Sequence, residues 1–128
     1  MAGFLLDTNI LIQAVRNQND RQAFLANLIA EGHTLACSVI ATGELMAGMR
    51  PHEQAFTSAL LDGLVQYELT SNIAIRAGLM KREWAAKGRT LPLDHAFIAA
   101  TALAHNLTLV TTNLKDFPMP ELRLHPGN

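Results

Sequence analysis

Short apolar runs punctuate this chain, and between them apolar residues recur three and four apart. The runs lie at 3–6, 33–37, 64–69 and 107–110. Runs of this length bounded by turn residues read as buried strands, whereas spacing of three and four reads as helix. Helical segments follow at Leu11, Ile12 and Val15, over 21–29, from Ser38 to just before Pro51, from Pro51 to Gly63, and from Thr70-Ser71-Asn72 to about Ala86, with Gly88 as the stop. The stretch 94–104 is apolar nearly all round, as expected of a central helix packed on a sheet. Such alternation dictates an α/β protein: a three-layer α/β/α fold with a mainly parallel sheet of about five strands and right-handed crossovers. The fifth strand is expected around 122–124, after Pro118 and Pro120, followed by a frayed tail at 125–128.

Local signals refine this outline. Asn19-Asp20 is a cap signal for the helix over 21–29, and Ser38 for the helix that carries Glu44. Pro51 suits a first helical turn, Glu53 complements its positive end, and Ala55, Phe56, Ala59 and Leu60 form the expected apolar stripe. Glu83 stands four residues before Lys87, a favourable ion-pair spacing.

Hydrophobic residues make up 49% of the 128 and charged ones 16%, which excludes a disordered chain and leaves room for one domain. No apolar run reaches the ~18 residues of a membrane span. The N-terminus lacks the basic start and cleavable apolar core of a signal peptide, so a cytoplasmic protein without a membrane partner is expected. Cys37 is the single cysteine; it forms no internal disulfide and reads as a small buried strand residue. A net charge of −1 excludes nucleic-acid binding by bulk positive charge. A local patch remains open, because Arg76, Lys81, Arg82, Lys87 and Arg89 fall together with only Glu83 opposing them. The plain reading of that run is a solvated helix face, and the competing one is RNA contact.

Seven of the eleven acids have ordinary explanations in caps, ion pairs or element ends; Asp7, Glu44, Asp94 and Asp116 do not. Asp7 follows the first strand between two apolar runs, where it serves as a helix cap or as part of a site. Glu44 lies on the helix after the second strand, Asp94 begins the apolar helix, and Asp116 follows the strand ending at Val110. In a parallel sheet these positions can converge on the carboxyl edge, where ligands bind. Carboxylates brought to ~4 Å repel by about 4 kcal/mol per pair at an effective dielectric of ~20, so such a cluster takes up protons or cations. An oxygen-only set suits Mg²⁺ or Mn²⁺, which equip a site for phosphodiester hydrolysis. Asp7 and Asp94 are the best direct ligands, Glu44 binds directly or through water, and Asn9 either orients Asp7 or a metal-bound water or serves as a local cap. The turn direction leaves open whether Asp116, or instead Thr112 or Asn113, completes the site. His95 neighbours Asp94, but successive helical residues diverge by about 100°, which argues against its serving as the base.

The segments Leu5-Leu6-Asp7-Thr8-Asn9, Gly43-Glu44-Leu45, Asp94 before Ile98-Ala99-Ala100-Thr101-Ala102, and Leu109-Val110-Thr111-Thr112-Asn113 before Asp116-Phe117 carry a resemblance. In this order they resemble the PIN-domain ribonucleases, specifically the VapC toxins of type II toxin–antitoxin pairs, over nearly the whole chain. That resemblance implies a single PIN domain over 1–128 with a PIN-like fold, and Asp7, Glu44, Asp94 and Asp116 as an acidic quartet holding Mg²⁺ or Mn²⁺. It also implies cleavage of RNA, of the tRNA or rRNA class, to a 5′-phosphate and a 3′-hydroxyl, with a homodimer and a cognate antitoxin whose tail covers the site. Competing readings are a housekeeping RNA-processing PIN nuclease, a non-catalytic RNA- or protein-binding module, and an aspartyl-phosphate enzyme. The last is disfavoured because Asn9 stands where haloacid-dehalogenase-like phosphatases carry a second Asp.

Overall fold

The computed structural model describes residues 3–128, and in them the strands form one parallel sheet. β1 (Gly3–Leu6), β2 (Thr34–Ser38), β3 (Val65–Tyr67), β4 (Thr108–Val110) and β5 (Leu124–His125) take the order β3-β2-β1-β4-β5. The chain therefore builds outward from β1 on one side and then crosses back to β4 on the other. That reversal is a topological switch point, and it opens a crevice beyond the carboxyl ends of β1 and β4. Register aligns Leu5 with Ala36 and Leu109, and Leu6 with Val110, all in parallel pairing.

Side chains alternate along each strand and so feed two cores. Phe4, Leu6, Cys37 and Val110 pack under α1 (Thr8–Val15), α2 (Arg21–Ala30), α3 (Val39–Ala47) and α4 (Gln54–Asp62). Leu5, Ala36 and Leu109 pack against α5 (Ser71–Ala86) and α6 (Leu93–Ala104) on the opposite face. The result is the expected three-layer arrangement. Ala96, Ala99, Ala100 and Ala102 are wholly buried, so α6 lies close against the sheet, as its all-round apolar sequence required. Ser38 caps α3 by accepting from the Ile40 amide at 3.1 Å, Thr70 caps α5 through the Ile73 amide at 3.2 Å, and Glu83 pairs with Lys87 at 3.5 Å. Cys37 is buried in β2.

Three local expectations fail. Asp20 does not cap α2: it sits at φ 53°, a left-handed conformation shared with Asn17 and Asn19, and its carboxylate makes no cap bond. The turn consumes the geometry that a cap needs. The segment after Pro51 opens as a 3₁₀ turn, Pro51–Glu53, before α4, and the buried stripe is Glu53, Thr57 and Leu61, while Phe56 stays 43% exposed. Glu53 turns inward because Arg16 Nε meets it at 3.1 Å and the Arg50 amide donates to it at 2.8 Å. The last residues do not fray. β5 pairs with β4, Gly127 is buried at φ +85°, and its carbonyl accepts from buried Arg21, a latch between positions 106 apart in sequence.

Candidate active site

At the switch point the end of β1 becomes the start of α1, and Asp7 occupies the joint. Its amide donates to Val110 at 2.9 Å, continuing the β1–β4 ladder, and its carbonyl accepts from Ile10 at 3.0 Å. The carboxylate is split between two donors: Oδ1 accepts from the Thr8 amide and Oδ2 from the Thr111 hydroxyl, both at 2.8 Å. Asp7 thus caps α1 and is also locked in one rotamer. Only 7% exposed, it has its pKa raised by burial, a push that the Thr111 and Thr8 hydrogen bonds and the His95 ring oppose and Asp94 reinforces.

Glu44 reaches the same place from the middle of α3, where its Oε1 accepts from the Thr8 hydroxyl at 2.6 Å. Partial burial raises its pKa first; the Thr8 bond works against this, while hydrogen bonding to Asp94 and repulsion by Asp94 and Asp7 add to it. Asp94 lies in the first turn of α6, with Oδ1 accepting from the His95 amide at 2.9 Å. Asp7, Glu44 and Asp94 line one open cavity of about 200 Å³ together with Thr8, Asn9, Ile12, His95 and Asn113.

Asp116 is not in that lining. It ends the 3₁₀ turn Leu114–Asp116, its amide bonded to the Asn113 carbonyl at 3.0 Å, and Asn113 faces the cavity instead. Thr112 accepts from Asn9 Nδ2 at 2.8 Å, and this leaves Asn9 Oδ1 buried without a hydrogen-bond partner. Among the described residues no three acidic, His or Cys side chains are arranged to enclose a metal by themselves. A hydrated divalent ion asks for less, one or two carboxylates plus waters. Two mutually repelling carboxyls and an orphaned amide oxygen beside them suit such an ion.

Two contributors were not singled out from the sequence, and a third, His95, was set aside. Thr8 and Thr111 hold the two carboxylates, and His95 joins the cavity wall, its ring tilted at 41° against Phe117 with centroids 5.2 Å apart and Nδ1 buried without a partner. Thr111 was accessible in principle, because placing Leu6 opposite Val110 puts the residues after them side by side. The 100° divergence of Asp94 and His95 does not separate them, since both lie at a helix end that opens into a broad cavity. The basic run along α5 and just beyond it is partly spent on structure. Lys81 donates to the Leu91 carbonyl at 2.8 Å and Arg89 to the Lys115 carbonyl, which ties down the loops before Asp94 and Asp116, while Lys87 lies over the Trp84 ring at 4.6 Å.

Residues 4–118 match the model of the PIN domain. The chain belongs to the PIN domain family. Among PIN proteins it is similar to Ribonuclease VapC19 of Mycobacterium tuberculosis, with 34% identity over 93% of this chain and 96% of that protein. Its fold matches a chain in the crystal structure of VapBC2 from Rickettsia felis bound to a DNA fragment from their promoter. The TM-score there is 0.85 at 28% identity, covering 96% of this chain and 97% of that one. It also matches a toxin–antitoxin complex from Klebsiella pneumoniae, with TM-score 0.78 and 31% identity over 98% of both chains. No helix among the described residues is long and apolar enough to cross a membrane.

Proposed function

We propose that this chain is a metal-dependent endoribonuclease and the toxin of a toxin–antitoxin pair, acting in the cytosol as one PIN domain over 1–128. The observation that carries the reading is the convergence of Asp7, Glu44 and Asp94 on one open cavity, with Asp7 and Glu44 both held above their ordinary pKa. A protein gains nothing in stability from crowding carboxylates, so the arrangement is explained by a cation that they serve. Asp7 and Asp94 would hold Mg²⁺ or Mn²⁺, with Glu44 bound directly or through water, Asn9 Oδ1 beside them, and Asp116, Thr112 or Asn113 completing the set. When bound, the ion supplies charge neutralisation at the phosphate and a water of lowered pKa.

The chain's own groups do the positioning. Thr111 and Thr8 fix the rotamers of Asp7 and Glu44, and the Asn9–Thr112 bond ties α1 to the turn after β4. Hydrolysis then adds water at phosphorus and breaks the bond to the 3′ oxygen, leaving a 5′-phosphate and a 3′-hydroxyl. Relatives named Ribonuclease VapC support the reaction, and neighbours solved as toxin–antitoxin complexes support a cognate antitoxin partner. We read the RNA as tRNA or rRNA and the active species as a homodimer. The test is cleavage of structured RNA with Mg²⁺ or Mn²⁺, expected to stop with EDTA and in Asp7→Asn; cleavage that survives both refutes the proposal.

A further inference from the structure

The acidic cavity has a second, separate hollow near it along α1. Ile12, in the wall of the acidic cavity, also lines a narrow slit between α1 and α3, and at the far end of the slit Val15, Arg16 and Glu53 open onto that hollow of about 390 Å³. Gln18, Arg50, His52 and Phe56 complete that hollow. From Thr8 to Arg16 the helix advances about 12 Å, a distance that an extended single strand crosses in a few nucleotides.

The chemistry of the hollow is one-sided. Glu53 is its only acid, 6% exposed, and its carboxylate is occupied by Arg16 Nε and the Arg50 amide. Arg50 is exposed, and its side chain donates no hydrogen bond and makes no ion pair within 4 Å among the described residues. Phe56, in the first turn of α4, leaves 43% of its surface in solvent. An exposed guanidinium with no hydrogen bond or close ion pair, beside an exposed ring, is the pairing that takes up single-stranded nucleic acid, with the phosphate on the cation and a base on the aromatic face. The positive sign of the hollow complements an RNA backbone leaving the acidic cavity.

We propose that the hollow at Arg50, His52 and Phe56 is a subsite for the single-stranded RNA flanking the cleaved bond. This rests on the ribonuclease reading above. Arg50 takes a phosphate, Phe56 stacks a base, and Arg16 stays committed to Glu53.

Oligoribonucleotides extended stepwise on either side of a mapped cleavage point test it, with wild type, Arg50→Gln and Phe56→Ala compared after melting curves confirm their folds. Wild-type kcat/KM rises about tenfold once the strand on one side reaches the hollow, the size of a single stacked base. Both variants lose that gain and cut the shortest substrate as wild type does. Independently of cleavage, Arg50→Gln in an Asp7→Asn background weakens binding of a labelled single strand, measured by fluorescence anisotropy, and reduces the salt slope by about 0.7. Length-independent cleavage, or variants that bind and cut long strands like wild type, overturns the subsite; if the same variants lose a protein partner instead, the hollow belongs to that partner. If wild type cuts no RNA with either metal, the ribonuclease reading fails by itself. The anisotropy series then decides the subsite alone, and unchanged affinity in Arg50→Gln overturns it.

Discussion

Thr111→Val isolates how the fold holds Asp7. Valine has nearly the shape of threonine and differs by the hydroxyl, so at this wholly buried position the change acts chiefly by removing a polar partner. What is lost is the 2.8 Å hydrogen bond to Asp7 Oδ2 and the weaker one accepted from the Asn113 amide at 3.1 Å. Asn113 is exposed, and its amide finds water; Asp7 is only 7% exposed, and Thr111 is the one donor to its Oδ2 among the described residues. A hydrogen bond to a charged group contributes about 1.5–3 kcal/mol, so the variant should lose about 2 kcal/mol in metal-free buffer at neutral pH. For a chain of this length that lowers Tm by about 8 °C. Asp7→Asn removes the charge whose burial is unfavourable, and Thr111 then makes only a neutral bond, worth about 1 kcal/mol. Urea unfolding of wild type, both single variants and the double variant should therefore show a coupling of about 1 kcal/mol. A Thr111→Val protein within about 0.5 kcal/mol of wild type, or a strictly additive cycle, would show that Asp7 is held by its backbone cap alone.

Glu44→Gln should abolish RNA cleavage yet raise the melting temperature of the EDTA-treated protein. The folded pKa of Glu44 is raised, so its ionised form opposes folding at neutral pH, and the amide keeps the Thr8 bond without the repulsion. Glu53 behaves in the opposite sense: the Arg50 amide, then the Arg16 hydrogen bond and the charges of Arg16 and Arg50, outweigh burial and hold its pKa below the ordinary glutamate value. Its contribution is present above that ordinary value and is lost as pH falls through the lowered one, so melting curves taken down the acid limb should fall more steeply for wild type than for Glu53→Gln; parallel limbs would remove Glu53 from the account. Growth inhibition on expression should disappear in Asp94→Asn, and toxicity persisting in a folded variant would place the harmful activity elsewhere. Removing residues 126–128 should lower Tm, because the Gly127 carbonyl satisfies the buried Arg21 guanidinium; an unchanged Tm would mean that water replaces it.

What could be read in advance follows from the range of the interaction responsible. β1 and α1 were legible because their signals are local: an apolar run, then Asp-Thr-Asn, then spacing of three and four. Strand order was legible at the level of class only, since right-handed crossovers limit the choices without selecting which strand flanks β1. Once β4 is known to lie beside β1, Thr111 falls next to Asp7, and a residue with no distinguishing local signal becomes the closest side-chain partner of the central acid. The misreadings share one cause. Asp20 fails as a cap and Glu53 turns inward because a left-handed turn and an arginine 37 residues away outrank local propensity. The same holds for the C-terminal segment, where polar, proline-containing sequence suggests fraying until Arg21 is seen to need an acceptor. Asp116 sits at the boundary between the two regimes: its spacing after β4 placed it near the sheet edge, but a single 3₁₀ turn aims Asn113 at the cavity in its stead. One turn of backbone rotates a side chain by a third of a circle per residue, so the direction of Asp116, which neither a strand end nor an α-helix anchors, is the one that local sequence does not fix. Asp7, Glu44 and Asp94 are anchored by a strand end or within an α-helix, and all three line the cavity.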